Sequence, residues 1–584
     1  MKTLTNIIKD ILDNACDKAG YSGEDLTILP CNVAGMGDFQ CNNAMVMAKK
    51  YGKSPRDIAT DIVNTVEDND VISDISIAGP GFINITIDSK YLGDYVISYM
   101  KELSNRMMLD HKNIIIDYGG ANVAKPLHVG HMRSAVIGES IKRICKFAGN
   151  NVLGDVHLGD FGLQMGMVIS EIERRHPDLV YFDKDYTGEY PNESPITIKD
   201  LETLYPEANA KAKADENIMN QAKLATLEFQ NGRRGYVALI NHILNISKTD
   251  LKKSYDSLNV NFDLWLGESD SKKYCDQVIE EIQSKNLARV SEGALIVDVA
   301  REDDKIDVPP FILKKSDGAI LYSTTDLATI VQREKEYNAD RIIYVVDNRQ
   351  EMHFTQLFRC VEKTGILDKK VDLDFVGFGT MNGKDGKPYK TRDGGVMQLK
   401  MLINEVKQKA FEKVSIAKAN DMSYSPEEMK EISDTVAISA LKFADLSIFR
   451  SKDYIFDVDK FCSFEGKTGP YLLYTITRAK SILRKVDNVF DNTFDTSFVP
   501  KNLLLALVDI KDVISKAYVD LAPSYLCDYV YNVANSFNSF YNSCNIINEE
   551  NLVKKNTWLN LTKYTLDVME MTLDLLGIKT LNKM

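Results

Sequence analysis

"NIIIDYGGANVAKPLHVGHMRSAVIGESIKRICKF", Asn113 to Phe147, decides how the rest of this chain is read. Its opening "NIIIDY" is a nearly continuous apolar run, the pattern of a strand buried on both faces of a parallel sheet. A glycine-bearing loop follows, and from about Gly130 to Phe147 apolar residues return at helical spacing. Strand, loop and helix in that order aim backbone N–H groups and the positive helix end above the sheet edge, which suits a phosphate. His128 and His131 stand at the mouth of that helix on either side of Gly130, with Lys125 just upstream. Their ring N–H groups and the lysine's charge could meet phosphate or ribose oxygens, supplying donors where negative charge builds during attack on an α-phosphate. Neither GxxxxGK[ST] nor GxGxxG occurs, so the loop is neither a P-loop nor a dinucleotide fingerprint.

Downstream the same grammar continues. "NVLGDVHLG" reads as the next strand and loop, and a charged helical stretch over about 199–255 reads as an interruption of the sheet domain. The β/α order then resumes with "GALIVDV" (293–299), a helix over 324–337, the strand "RIIYVVD" (341–347), a helix beginning near His353 and the strand "DLDFVGFG" (372–379). This order fits a doubly wound, Rossmann-like parallel-sheet domain carrying an insertion. Upstream, the first hundred residues read as a small α/β unit: a helix over roughly 2–18, a short strand in "DLTILP", one long helix from Asn42 to about Val66, two strands in "ISDISIAGPGFINITI", and a helix over about 91–107. From about Ser425 the chain is helical almost to its end, a bundle by its spacing. The expected division is 1–108, 109–400 with the insertion at about 180–255, a connecting helical segment over 401–425, and an all-α unit over 426–584.

Composition narrows the function classes. At 584 residues the chain exceeds what one core supports, and 44% hydrophobic with 27% charged residues is ordinary for a globular protein. No run of 18 apolar residues and no leader pattern occurs, so no membrane partner and a cytoplasmic location are expected. Nine cysteines, none closer together than ten residues, offer no CxxC pair. Neither a protein-bound zinc nor a disulfide framework is expected. A net charge of -13 argues against an indiscriminate polyanion binder but leaves room for a nucleic acid met by a local basic surface. One such surface is "YLLYTITRAKSILRK", where Tyr471 and Tyr474 precede Arg478, Lys480, Arg484 and Lys485. At about 100° per residue the four cations fall within roughly half of the helix circumference, and aromatic plus cationic groups suit unstacked RNA bases and phosphates.

"PLHVGH" resembles the HIGH signature of class I aminoacyl-tRNA synthetases, and "ANVAKPLHVGHMRSAVIG" with "HLGDFGLQMG" (157–166) is similar to the arginyl-tRNA synthetases in particular. Further matches follow in family order: "YDSLNVNFDLWLGES" ending at Glu268 and Ser269, "YSTTDLA" from Tyr322, "GKPYKTRDGG" (386–395) resembling the family's variant of the KMSK loop, "FEGKTGPYLLYTITRAKSILRK" resembling its anticodon-binding domain, and the closing "LLGIK". The chain departs from the pattern in having no literal KMSK, and in "YGGAN" where many relatives carry serine-proline before the asparagine.

The resemblance implies ATP-dependent ligation of L-arginine to tRNA(Arg) through an arginyl adenylate. The implied catalytic groups are Lys125, His128, His131, Lys387, Lys390 and Arg392, with ATP over His128, Gly130, His131 and Lys390. Arginine would meet Asn122, Glu268, Tyr322, Asp326 and Gln350, Gln356 being the neighbouring alternative to Gln350; the 1–108 unit and the basic helix would meet tRNA. Mg2+ would accompany the phosphates, since no dense carboxylate cage is visible, and a monomer is expected. The residue chemistry agrees. Tyr322 and Asp326 share a helix face, and a buried guanidinium needs carboxylates such as Asp326 and Glu268 in a bidentate-capable arrangement. Two other readings stay open here: a nucleotidyl-transfer enzyme of the same superfamily that does not use tRNA, and a synthetase-like RNA-binding protein without catalysis.

Overall fold

The computed structural model describes residues 2–584 apart from 32, 34, 317, 319, 390–396, 418–423 and 487–490. The first unit comprises α1 (Leu4–Lys18), β1 (Ile28–Pro30), β2 (Phe39–Cys41), α2 (Ala44–Tyr51), α3 (Pro55–Asn64), β3 (Ile72–Ala78), β4 (Phe82–Ile87) and α4 (Ser89–Lys101), the strands forming an antiparallel sheet in the order β1-β2-β4-β3. The single helix expected over 42–66 is two. Gly52 ends α2 in the left-handed region at φ 65°, and Ser54, whose hydroxyl accepts from the Asp57 N–H, restarts the chain with Pro55 in the first turn of α3.

The central domain follows with β5 (Asn113–Tyr118), α5 (Val129–Phe147), β6 (Asn151–Asp155) and α6 (Leu163–Arg175). The insertion is a set of three helices, α7 (Ile198–Ala214), α8 (Glu216–Gln230) and α9 (Arg234–Ser257). After α10 (Lys272–Ser284) come β7 (Arg289–Ser291), β8 (Ala294–Val297) and β9 (Phe311–Lys314), then α11 (Tyr322–Tyr337), β10 (Arg341–Asp347), α12 (Glu351–Thr364) and β11 (Asp372–Phe378). The parallel sheet runs β11-β10-β5-β6. Alternate residues face opposite layers. Ile114, Ile116, Ile343 and Val345 join the core that contains Met132, Val136 and Ile137 of α5, while Ile115, Ile342 and Tyr344 join Leu327 and Ile330 of α11 and Leu357 of α12. Strand β8, expected in this sheet, belongs instead to a separate antiparallel sheet, β7-β8-β9. Glu292 and Gly293 both take positive φ and pair Ser291 with Ala294, a two-residue hairpin that folds β8 straight back on β7 and leaves no room for a parallel crossover.

Because β5 pairs with β6 on one side and β10 on the other, the chain winds outward in both directions from the β5/β10 boundary. Loops part at that boundary, so a crevice opens above the strands' carboxyl ends. Ser134 of α5 ties the two strands there, its Oγ donating to Val345 O at 2.6 Å and accepting from Gly119 N at 2.7 Å.

The remainder contains β12 (Met381–Asn382), α13 (Leu399–Ala417), α14 (Pro426–Leu446), β13 (Tyr454–Ile455), paired in parallel with β12, and α15 (Val458–Phe461), followed by α16 (Gly469–Arg484), α17 (Lys501–Val508), α18 (Ile510–Val519), α19 (Ser524–Ser543) and α20 (Leu552–Leu575). Helix α5 carries the link between sheet and bundle. Arg133 Nε lies 2.8 Å from Asp445 Oδ1 of α14, both side chains fully buried, and Ser140 donates to Leu575 O at 3.0 Å. The first unit docks on the bundle too, with Asp38 Oδ2 2.7 Å from Lys501 Nζ. Among the described residues no helix is long and apolar enough to cross a membrane, and all nine cysteines are unpaired, all but Cys31 and Cys544 buried.

Candidate active site

Above the β5/β10 boundary lies a cavity of about 990 Å³. It is lined by Asn122, His128, Gly130, His131, Glu268, Tyr322, Asp326 and Gln350, which the structure thus brings together from loops as far apart as 228 residues in sequence, Asn122 to Gln350. Gln356 is not among them; its Nε2 donates to Pro309 O at 2.7 Å, and of the two candidates Gln350 is the one that lines the cavity.

The two histidines form a reciprocal cap on α5. His128 Nδ1 accepts from Gly130 N at 3.1 Å, and His131 Nδ1 accepts from His128 N at 3.0 Å. A ring nitrogen that accepts carries no proton, so the neutral form of each ring is protonated at Nε2 and presents a donor. The rings lie 3.9 Å apart, and a Cβ at Gly130 would sit 2.9 Å from His128 Cε1, which is why glycine separates them. Burial, then the neighbouring His128 and Lys125, push the His131 pKa down to about 3. His128, whose ring has surface open to the cleft, is also lowered, by its enclosure and then by the Arg349 and Lys125 charges. Both are therefore neutral donors at working pH, flanked by the N–H groups of a helix start.

The opposite wall is acidic. Glu268 opens the short helical turn 268–271 between α9 and α10, and burial, then the Asp326 charge, raise its pKa to about 7, with His157 opposing. Asp326 stands one turn after Tyr322 on α11, and its Oδ2 lies 2.6 Å from Nε2 of His353 on α12. Two neighbouring carboxyl groups that raise each other's cost of ionisation on one cavity wall describe a place for a cation. Tyr322 is 60% exposed, its ring resting on His353 with centroids 4.9 Å apart.

Several residues in or behind the cavity lining were given no role by the motifs. Gln164 Nε2 donates to Asn122 Oδ1 at 3.1 Å and so orients that amide. Asp160, nearly fully buried, accepts from Ser269 N at 2.9 Å and Ser269 Oγ at 2.6 Å, fixing the turn that carries Glu268. Arg349 pairs in bidentate fashion with Asp347 at the cleft mouth. The segment "HLGDFGLQMG" was a visible signal for Asp160 and Gln164; nothing local marks His353.

Asp117 and His157, both in the cavity lining, cluster with the buried Asp155 as metal donors would, among the described residues. Arg333 Nη2 lies 2.7 Å from both carboxylates, so a guanidinium already fills the cationic position and these residues do not suit a metal ion. His157 Nδ1 lies 3.3 Å from Asp155 Oδ2; burial opposes its charge, but that bond and the Asp117 charge hold its pKa up at about 9.

Lys125 and Lys387 are not part of the cavity lining. Lys125 places its ammonium 4.5 Å from the Tyr205 ring centroid on α7, close enough for its charge to lower both histidine pKa values. Lys387 is exposed in a turn where its carbonyl accepts from Gly383 N at 2.8 Å. Lys390 and Arg392 lie outside the described residues. Residues 397–399 pair with 127–129, Val129 N donating to Met397 O and Leu399 N to Leu127 O.

The basic helix α16 does not present its cations on one free face. Arg478 stacks between Tyr474 and Tyr541, 4.7 and 4.6 Å from their centroids, and Tyr471 donates to Asn535. Lys480 points the other way, 2.6 Å from Glu570 and bonded to Leu581 O, and Arg484 donates to Asn582 O. Lys485 is exposed at the helix end. Helical phase alone could not register that the C-terminal residues return to cover half of this face.

Three family models match the chain: an arginyl tRNA synthetase N-terminal domain over residues 2–87, a class I (R) tRNA synthetase catalytic domain over 96–458, and a DALR anticodon binding domain over 472–584. Among curated relatives, an arginine–tRNA ligase of Alkaliphilus oremlandii is 49% identical over 591 residues and one of Agathobacter rectalis 48% over 598, each alignment covering 100% of both chains. Among solved structures, the arginyl-tRNA synthetase of Plasmodium falciparum matches with a TM-score of 0.80 at 26% identity over 100% of both chains. That of Thermus thermophilus matches in fold with a TM-score of 0.82 at 20% identity, covering 99% of this chain and 100% of the other.

Proposed function

We infer the working parts of the site from one premise: this chain belongs to the class I arginyl-tRNA synthetase family, and it ligates L-arginine to tRNA(Arg) with ATP through an arginyl-adenylate intermediate, releasing AMP and diphosphate. In the first step a carboxylate oxygen of arginine bonds to the α-phosphorus as the bond from that phosphorus to the pyrophosphate oxygen breaks. In the second, a terminal ribose hydroxyl of the tRNA attacks the acyl carbon and AMP leaves. Neither step needs a protein nucleophile, so the protein's work is positioning and charge stabilisation.

His128 and His131 supply neutral Nε2–H donors to the phosphate oxygens at the α5 mouth beside Gly130; Lys125 and the Lys387, Lys390 and Arg392 segment supply positive charge toward the leaving pyrophosphate. Glu268 and Asp326 take the guanidinium, Tyr322 and Gln350 complete its surroundings, and Asn122, held by Gln164, orients the amino-acid end. Magnesium accompanies the triphosphate as part of the substrate. The tRNA meets the exposed part of α16, Tyr474 and Arg478 foremost, together with the first unit, in a chain divided near 108, 400 and 425. A cytoplasmic monomer belongs to the same proposal, with sedimentation as its check.

The observation that carries this reading is the meeting, in one cavity, of a phosphate-suited helix mouth and two mutually repelling carboxylates. Lysine lacks the planar fork and citrulline the charge, so each would leave one carboxylate underpaired, a larger penalty than a missing methylene. ATP–pyrophosphate exchange, run with each of the twenty amino acids with and without total tRNA, tests it. Exchange with arginine alone, appearing when tRNA is added, is expected; a folded, tRNA-binding protein that exchanges with no amino acid would overturn the catalytic reading.

A further inference from the structure

Asp326 gains from its own helix only a position. The terminal torsion of an aspartate is broad, so a carboxylate standing on α11 without support would sample many planes, whereas a guanidinium binds best when its parallel donors meet a carboxylate held in one plane. The structure supplies that hold from another helix. His353, on α12, sets its Nε2 2.6 Å from Asp326 Oδ2, and both side chains line the cavity. The imidazole is itself confined: it lies against Tyr322 at 4.9 Å and 59° and against Phe354 at 5.2 Å and 70°. His353 therefore touches both α11 residues of the proposed guanidinium pocket, the carboxylate through its nitrogen and the tyrosine through its ring face. With Oδ2 engaged, the plane of the carboxylate is fixed and Oδ1 is the oxygen left without that bond.

Packing alone does not account for a histidine here. An apolar ring would fill the same space between Tyr322 and Phe354, but it would leave Asp326 free to turn, with nothing to offset its repulsion from Glu268.

We propose that His353 is a positioning residue for arginine recognition, orienting the Asp326 carboxylate and the Tyr322 ring for the guanidinium without taking part in the chemistry. The proposal rests on the arginine pocket inferred above. It predicts that losing the nitrogen harms arginine recognition selectively, because the ATP side of the cavity is built from α5 and not from α12.

The test is pyrophosphate exchange with the full-length protein and saturating tRNA, titrating arginine and ATP separately for wild type, His353→Ala, His353→Gln, Asp326→Ala and the His353→Ala/Asp326→Ala double variant. His353→Ala should raise the arginine KM about tenfold, the worth of one hydrogen bond to a charged group, with the ATP KM and kcat within about twofold of wild type. His353→Gln, whose amide nitrogen reaches about as far as Nε2, should recover most of the loss. The double variant should be no worse than Asp326→Ala alone, since His353 acts through that carboxylate. Should His353→Ala fail to fold, His353→Phe keeps the ring contacts without the donor and carries the same expectation.

An unchanged arginine KM in His353→Ala, an equal rise in both KM values, or effects that multiply in the double variant would each overturn the positioning role; the last would mean that His353 contacts the substrate itself. Failure of the underlying pocket reads differently. There, Asp326→Ala would also leave the arginine KM unchanged.

Discussion

Glu268 should make arginine binding depend on pH in a window set by its surroundings. Burial, then repulsion from Asp326, place its pKa at about 7 against an ordinary value of 4.5. A guanidinium pairs with the ionised form. With a pKa of about 7, roughly one site in eleven is ionised at pH 6 and ten in eleven at pH 8, so the arginine KM should fall about tenfold between those values. Folding stability carries the opposite sign. Because the folded pKa lies above the unfolded one, the contribution is fully present below about pH 4.5 and lost as pH rises through about 7. Glu268→Gln removes the titration. Its arginine KM should be raised by roughly thirtyfold or more at pH 8, the loss of a charge-assisted bond, and should be flat from pH 6 to 8. The ligand-free variant should be more stable than wild type at pH 8 by on the order of 2 kcal/mol after allowance for partial solvent screening. The assay is exchange at saturating ATP and tRNA with arginine titrated at half-unit pH steps, with thermal unfolding of the ligand-free proteins alongside. A wild-type KM that does not move over this range, or a Glu268→Gln enzyme that keeps the same slope, would refute the argument.

His131→Ala should cut adenylate formation at saturating arginine by about 10²–10³-fold, and in the wild type that rate should show no histidine titration near pH 6.5, because His131 stays neutral down to about pH 3; a wild-type exchange rate in the variant would remove His131 from the site. Arg478→Glu should weaken tRNA binding and lessen the slope of its salt dependence by about one or more, whereas Lys480→Met, which loses Glu570 and Leu581 O, should lower Tm and leave tRNA affinity nearly intact; a reversed pattern would return Lys480 to the interface. Asp445→Ala strands the buried Arg133 guanidinium and should cost about 3–5 kcal/mol in chemical unfolding, and unchanged stability would refute α5 as the tie between sheet and bundle.

Helix punctuation and strand pairing explain where the sequence reading fell short. "GKSPRD" contains the stop and restart that split 42–66 into α2 and α3, a signal outweighed by the apolar spacing on either side. β8 has a strand's composition, but whether a strand joins one sheet or another depends on the turn before it, and here two residues with positive φ fold it into a hairpin. The basic run over 471–485 forms the helix expected of it, yet its cations divide between Tyr541 and the returning C-terminus, partners 63 and 98 residues away from Arg478 and Arg484.

What this sequence determined alone is what short-range chemistry can write: a buried strand run, a glycine loop, a capped helix with histidines three apart, and motifs whose order names the family. Those features act over a few residues and survive reading in one dimension. Tertiary structure alone decided which charges face each other. Glu268 meets Asp326 across 58 residues, His353 reaches Asp326 from a neighbouring helix, and Arg333 occupies the carboxylates of Asp117 and Asp155. Electrostatic coupling and hydrogen bonding depend on distance in space and on exclusion of water, and both arise only when the sheet has closed and its loops have met above the β5/β10 boundary.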